Sequence, residues 1–367
     1  MTKPQTLSPR QLNRATLARQ MLLQRADIAP VAAVERLVGM QAQEPRPPSI
    51  GLWSRLNGFR RDDLHQAVHA REIVRGTLMR GTLHLFSAAD YAAFRMTLQP
   101  VLDQGIAILG DRALEFDHTA TLARAREILE AKPRTFNELR TLLVETFPAA
   151  DERALGFTVR MLLPLVMIPT DNRWAFPANS EFALAEQWLA EPLTPGNATE
   201  ALVSRYLAAF GPATAMDVQT WSGLKGMKPV LAAMKPHLSL FTDERGRELF
   251  DLPGAPRPDA DVPAPPRFLP EFDNLLLSHA DRTRVIADEH RGVVYQKGNL
   301  RLLATILVDG VVSGIWRVER KGKAATLRIT PFARLPPRVM NELREEGEAL
   351  LRFIEEDAAT FAIEISP

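Results

Sequence analysis

The amino-acid sequence predicts an α+β protein, mainly helical, and three observations carry that prediction. Apolar residues recur at helical spacing in short runs along the first 250 residues. Each group of such runs is followed by a stretch alternating at a period of two, the pattern of a hairpin. After a proline-rich segment at 253–270 the two-residue period dominates, with turn signals at Asp309-Gly310 and Lys321-Gly322-Lys323.

The elements follow in order. Ser8 as N-cap and Pro9 in the first turn open a helix over 8–20. A second runs over 30–39 with Val31, Val34, Leu37 and Val38 on one face, a third over 49–57 and a fourth over 61–70. Ile73 to Phe86 reads as two short strands, and Ala88 to Tyr91 starts another helix. Helices capped by a β-hairpin are the make-up of a winged helix. The order recurs. Helices at 119–131, 135–146 and 151–163 precede extended residues at 166–169 and 172–176; helices at 198–210, 214–222 and 227–235 precede 238–242 and 247–251. Three tandem winged-helix units are therefore expected, with boundaries at 1–115, 116–195 and 196–255. Residues 256–367 then hold a linker and a small β-barrel-like portion built from strands at 283–287, 293–297, 302–308, 311–319 and 324–329. A helix at 337–356 and a strand at 361–365 close the chain.

Composition narrows the function. The 367 residues include no cysteine, which excludes disulfides, thiolate metal sites and a cysteine nucleophile and fits a reducing cytoplasm. No apolar run approaches the ~20 residues of a membrane span, and the polar N-terminus lacks a signal-peptide core. The net charge of +1 conceals an asymmetry: residues 1–101 carry fourteen Lys+Arg against seven Asp+Glu, and the remainder thirty-one against thirty-seven. A basic first third suits a polyanion, although such charges also serve simply to solubilise helices.

The Gly39-Met40-Gln41-Ala42-Gln43-Glu44-Pro45 segment combines a helix-stopping glycine with a proline that pushes Glu44 towards extended geometry. In an extended segment Gln41 and Gln43 share a face and offer four donors and two acceptors without charge, able to hold a water and a sugar or base edge. Satisfying backbone groups at a helix end is the alternative. Arg75-Gly76-Thr77-Leu78 and Arg80-Gly81-Thr82-Leu83-His84 form a near-repeat in which alternation groups Arg80, Thr82 and His84. Arg317, Arg320, Lys321 and Lys323 cluster at a hairpin turn, suited to a duplex backbone or to discouraging edge-to-edge strand pairing. His65 and His69 lie one helical turn apart without the glutamate of a zinc-protease motif or an evident third ligand, so a solvated face is expected and no metal site. Glu271 and Asp273 read as a structural turn before paired acids. No phosphate-binding loop, nucleophile elbow or dinucleotide fingerprint is present, and no cofactor is expected.

LSPRQLNRATLARQMLL, VERLVGMQAQEPRPPSIGLWSRL, LMRGTLHLFSAADY, FGPATAMDVQTWSGL and LPEFDNLLLSHADR together resemble the winged-helix DNA glycosylases of the AlkZ type, related to the crosslink-repair glycosylase YcaQ, over nearly the whole chain. The resemblance implies three winged helices in a C-shape with a β-rich C-terminal portion. It implies hydrolysis of the N-glycosidic bond of bulky or crosslinked N7-alkylated purines. Gln41 and Gln43 fall on the family's catalytic Gln-x-Gln and would orient the water. An N7-alkylated base is a cationic leaving group, so little acid catalysis is needed. Members of the YcaQ type carry Asp at the second position; Gln43 places this chain with the AlkZ-like branch. No lysine nucleophile is evident, so a monofunctional reaction is implied. Expected partners are double-stranded DNA with an alkylated purine, met by a nucleoid-associated cytoplasmic monomer. Arg46, Arg75, Arg80 and His84 are the candidate DNA contacts beside the glutamines, and Arg317, Arg320, Lys321 and Lys323 those on the hairpin. The competing expectation is a winged-helix binder or regulator without catalysis.

Overall fold

The computed structural model describes residues 4–296, 298 and 300–366. The first block runs β1 (Gln5–Leu7), α1 (Pro9–Arg19), α2 (Pro30–Arg36), β2 (Met40–Gln41), α3 (Arg46–Trp53), α4 (Arg61–His69), β3 (Ile73–Thr77), β4 (Leu83–Ser87), α5 (Ala88–Phe94) and α6 (Gln99–Gly105). The second runs α7 (His118–Ala131), β5 (Arg134–Thr135), α8 (Phe136–Thr146), α9 (Glu152–Leu162), β6 (Leu165–Met167), β7 (Glu181–Leu184) and α10 (Ala185–Leu189). The third runs α11 (Thr199–Phe210), α12 (Ala215–Ser222), α13 (Met227–Met234), β8 (Ser239–Asp243) and β9 (Glu248–Asp251). The C-terminal part comprises β10 (Arg267–Leu269), α14 (Asp288–Val294), β11 (Tyr295–Gln296), β12 (Arg301–Leu302), β13 (Thr305–Val308), β14 (Val311–Lys321), β15 (Ala324–Pro331), α15 (Pro337–Ile354) and β16 (Thr360–Ile365).

The capping that opens α1 is reciprocal: Ser8 Oγ accepts from Gln11 N at 3.2 Å while Ser8 N donates to Gln11 Oε1 at 2.9 Å. This helix is not a simple amphipathic surface helix. Asn13, Arg14, Thr16 and Arg19 are as buried as its leucines. Arg19 makes a two-pronged ion pair with Asp251 at 2.7 and 2.8 Å, Arg14 pairs with Asp309, and Asn13 donates to the carbonyls of Arg284 and Gly310 at 2.8 Å. The polar residues tie the first block to the third and to the C-terminal part.

The hairpins of the first two blocks are not separate wings. β3 pairs with β6, joining them in one six-stranded sheet of order β2-β4-β3-β6-β7-β5. The partner of β6 is β7, not the expected stretch 172–176, which forms a tight turn closed by Thr170 N to Ala175 O at 2.7 Å. Its apolar residues Ala175 and Phe176 are buried in the core shared with Met167 and Phe182. The third hairpin accepts β1 as a parallel third strand.

The expected barrel is not closed. The sheet β10-β13-β14-β15-β16 is open, with β16 returning parallel to β15. A parallel return needs a crossover, and α15 provides it, laying Leu343, Leu350, Leu351 and Ile354 into a core shared with Phe268, Leu327 and Ile329. A sheet covered by a helix has no need to curl on itself. Two other expectations fall here. The proline-rich segment contributes edge strand β10, and the run at 283–297 supplies buried loop residues Val285 and Ile286, helix α14 and β11, with Lys297 outside the described residues. Asp309 and Gly310 do turn the β13–β14 hairpin, both at positive φ (46° and 79°). α6, the irregular helical stretch Ile106–Leu114 and α10 had no signal strong enough to predict them. No helix among the described residues is long and apolar enough to cross a membrane.

Candidate active site

Met40 and Gln41 are extended for reasons visible in the sequence around them, and residues 43–45 then bend into α3. α2 stops at Arg36, and the chain reverses through Val38 at φ 53° and Gly39 at φ 82°. A Cβ on Gly39 would lie 2.1 Å from the Phe86 ring, so only glycine fits. β2 then joins β4, with Gln41 opposite His84, and Ala42 N donates to Leu83 O at 2.7 Å. Arg75, on β3, is buried and reaches this segment from behind: Nε donates to Ala42 O at 2.9 Å and Nη2 to Gln43 O at 3.2 Å. Its guanidinium also sits 5.2 Å from the Phe176 ring, and burial lowers its pKa to about 10, so it stays charged at neutral pH.

Gln41 is nearly buried and Gln43 is exposed. Gln41 Oε1 accepts from Arg80 Nη2 at 2.9 Å, and Gln43 Oε1 accepts from Leu83 N at 3.4 Å. Neither side-chain NH2 has a protein acceptor among the described residues, so the donors of both amides are free for another group. Beside Gln41 lies a cavity of about 20 Å³, lined also by Gly39, Arg55, Asp273 and Asn274, enough for about one water.

Arg80 is the hub of the site, yet it is not on a strand. It sits in a single helical turn, Met79–Gly81, at φ 57°, so the strand alternation expected to align it with His84 does not apply. The two meet all the same. Arg80 Nη2 lies 3.4 Å from His84 Nε2 and 3.4 Å from Asn274 Oδ1, and Nη1 donates to Trp221 O at 2.5 Å. All four partners are neutral. Burial and the nearby Arg282 lower the Arg80 pKa to about 10. His84 is fully buried, and burial followed by Arg80 pushes its pKa down to about 3. Its Nδ1 is 2.9 Å from Thr82 O and must carry the proton, leaving Nε2 as an acceptor for Arg80. His84 is therefore a neutral prop for Arg80, not a surface DNA contact and not a proton-transfer group at neutral pH.

The remaining candidates divide: Arg75, Glu271 and Asp273 lie against the glutamine segment or its cavity, and the hairpin residues do not. Buried Arg75 is an internal brace rather than a surface contact. Arg46, at the start of α3, is half-buried with no hydrogen-bond or ion-pair partner among the described residues. Arg320 binds Glu355 at 3.3 Å and Asp357 at 3.4 Å, fastening the β14–β15 turn to the end of α15. Arg317 pairs with Glu319 at 3.0 Å, and Lys321 and Lys323 are exposed. No hydrogen bond or ion pair links these hairpin residues to the glutamines among the described residues. Glu271 pairs with Arg301, and Asp273 holds Arg55 at 2.8 and 2.9 Å while accepting from Leu275 N; both also line the cavity beside Gln41. Sequence reasoning missed Asn274, which also donates to Gly39 O at 3.2 Å, and Trp221, which contributes through a carbonyl no sequence pattern exposes.

A solved structure of the same architecture, the Streptomyces sahachiroi DNA glycosylase AlkZ, superposes with a TM-score of 0.80 over 98% of this chain and 100% of that one, at 23% identity. A sequence model of the family described as DNA glycosylase AlkZ-like matches residues 34–353. The chain belongs to the AlkZ-like DNA glycosylase family and is a DNA glycosylase, an N-glycosyl hydrolase. A curated relative, an interstrand DNA cross-link repair glycosylase from Streptomyces sahachiroi, is 26% identical over 360 residues, spanning 89% of this chain and 92% of the relative.

Proposed function

We propose that this enzyme hydrolyses the N-glycosidic bond of bulky or crosslinked N7-alkylated purines in double-stranded DNA, with Gln41 and Gln43 positioning the water. The observation that carries the reading is the free donor set of Gln41, held by Arg80 beside a cavity of one-water size. An N7-alkylated purine already carries positive charge, so its departure requires no proton donor. What remains is to place water against the sugar as oxocarbenium character develops, a task for aligned neutral dipoles. His84 and Arg80 agree with that division, the first held neutral and the second turned onto carbonyl and amide oxygens, while the carboxylates that line the cavity, Glu271 and Asp273, are ion-paired with Arg301 and Arg55. Arg80 acts as a positioning residue, fixing the Gln41 amide so that its NH2 faces outward. With no lysine in the cluster, the product is an abasic site without strand cleavage.

The three helical blocks, read as winged helices in a C-shape, would wrap one duplex as a monomer within the nucleoid, with Arg46, Lys321 and Lys323 available to phosphates. The test is release of N7-methylguanine, and of a bulkier N7 adduct, from duplex DNA. Wild-type protein should liberate base and leave an alkali-labile site, and a Gln41→Ala/Gln43→Ala variant should lose at least about a hundredfold in single-turnover rate. If both proteins are equally inert while binding DNA, the chain is a binder without catalysis.

A further inference from the structure

The pair His65 and His69 lacked a third ligand in sequence. The structure supplies one. Asp171, in the turn after β6, comes to the pair on α4 so that one ligand atom from each residue lies within 4.8 Å of the others. The two imidazoles lie 4.4 Å apart at 32°. His65 is half-buried; His69 and Asp171 are exposed. Among the described residues none of the three side chains has a hydrogen-bond or ion-pair partner.

That lack of partners is selective. The arginines next to these residues in the chain would be natural mates for Asp171, but each is engaged elsewhere. Arg60 binds Asp62 at 3.3 Å, Arg61 binds Glu356, and Arg173 binds Asp357 at 3.4 Å and Glu355 at 3.9 Å. The turn that carries Asp171 is held in place independently, by the Thr170–Ala175 closure, by Trp174 N donating to Asn172 Oδ1 at 3.1 Å, and by Arg61 lying 4.9 Å over the Trp174 ring. Two imidazoles and a carboxylate are thus brought together from two blocks with their lone pairs unused.

We propose that His65, His69 and Asp171 bind a divalent transition-metal ion of the zinc type, with water completing the coordination. Imidazole nitrogen favours Zn²⁺, Co²⁺ and Ni²⁺ over Ca²⁺ or Mg²⁺, which prefer all-oxygen sets. Ligand atoms at about 2.0–2.2 Å from zinc stand about 3.3–3.5 Å apart in a tetrahedron, so small side-chain rotations close the observed spacing. His65 and Asp171 also line a cavity of about 560 Å³, which leaves room for the water ligands. The ion would clamp α4 of the first block to the post-β6 turn of the second. None of the three residues belongs to the Gln41 cluster.

The experiment uses the full-length protein, stripped with a chelator, and titrated with Co²⁺ and Zn²⁺. One equivalent of Co²⁺ should give ligand-field absorption that Zn²⁺ displaces, and Zn²⁺ should raise the thermal midpoint by a few degrees. His65→Gln/His69→Gln should bind Zn²⁺ at least about thirtyfold more weakly, and Asp171→Asn about tenfold. Both variants should show the metal-free wild-type midpoint, which separates ligand loss from misfolding. The proposal is overturned if the wild-type protein binds neither ion below about 100 µM, a ΔG of about −5.5 kcal/mol, or if the double-His variant binds as tightly as wild type.

Discussion

Arg75→Lys separates the brace from the surface contact that the sequence suggests. The native guanidinium makes two charged-donor hydrogen bonds, to Ala42 O at 2.9 Å and Gln43 O at 3.2 Å, and packs on Phe176. Hydrogen bonds to a charged group contribute about 1.5–3 kcal/mol each, and the ring contact about 1 kcal/mol. A lysine ammonium keeps the charge but can reach one of the two carbonyls at most, and it loses the stack. Burial opposes the native charge, shown by the lowered pKa of about 10, and relief of part of that penalty offsets some of the loss. A net destabilisation of about 2 kcal/mol is expected from equilibrium urea unfolding. The catalytic effect is larger. Freed from Arg75, the Gln43 backbone can drift, and a misplacement of about 1 Å costs on the order of a hundredfold in rate. Single-turnover base release should therefore fall about 30–100-fold, while DNA affinity by fluorescence anisotropy stays within about threefold and its salt dependence is unchanged. The opposite split, an intact rate with weakened and less salt-sensitive binding, would show Arg75 on the phosphates and refute the brace.

The other expectations follow from the same geometry. His84 has its pKa held at about 3 in the fold against 6.5 when unfolded, so below pH 6.5 only the unfolded chain takes up its proton. Stability from this group is complete above pH 6.5 and falls by about 1.4 kcal/mol per pH unit towards pH 3. Buried His279, also depressed, adds to the slope, and Asp90, raised to about 6 by burial, opposes it between pH 6 and 4. Thermal midpoints should thus drop on acidification, His84→Asn should flatten the slope by about one proton, and base release should show no histidine inflection between pH 6 and 8. Asp251→Asn uncouples Arg19 and Arg257 from a fully buried carboxylate and should cost about 3–5 kcal/mol, read from denaturant midpoints. Gly39→Ala forces a Cβ into the Phe86 ring at a positive φ; loss of soluble folded protein or a midpoint drop above about 10 °C is expected.

What the sequence disclosed, and what it withheld, divides along range of interaction. Local chemistry was legible: Ser8 and Pro9 as a helix start, Asp309-Gly310 as a turn, and Gly39 as the reversal that leads into β2. Sheet topology was not, because β3–β6 and β15–β16 pairings depend on contacts that no local period encodes. The two glutamines stood out for local reasons, whereas the residues that hold them did not. Arg80 reaches Gln41 across 39 residues, Trp221 across 141 more, and Asn274 joins from 194 residues beyond Arg80. Three of the non-glycine residues at positive φ, Val38, Arg80 and Phe272, flank this cluster. A β-branched valine in that region is costly, and such strain persists only where surrounding contacts over-determine it. Here those contacts are the hydrogen bonds that aim an uncharged amide. Under the proposed function, two neutral amides that place a water have only geometry to work with, whereas a site that works by charge can tolerate loose placement because Coulomb attraction is long-ranged. The strain and long-range bracing gathered around Gln41 are what that role would require.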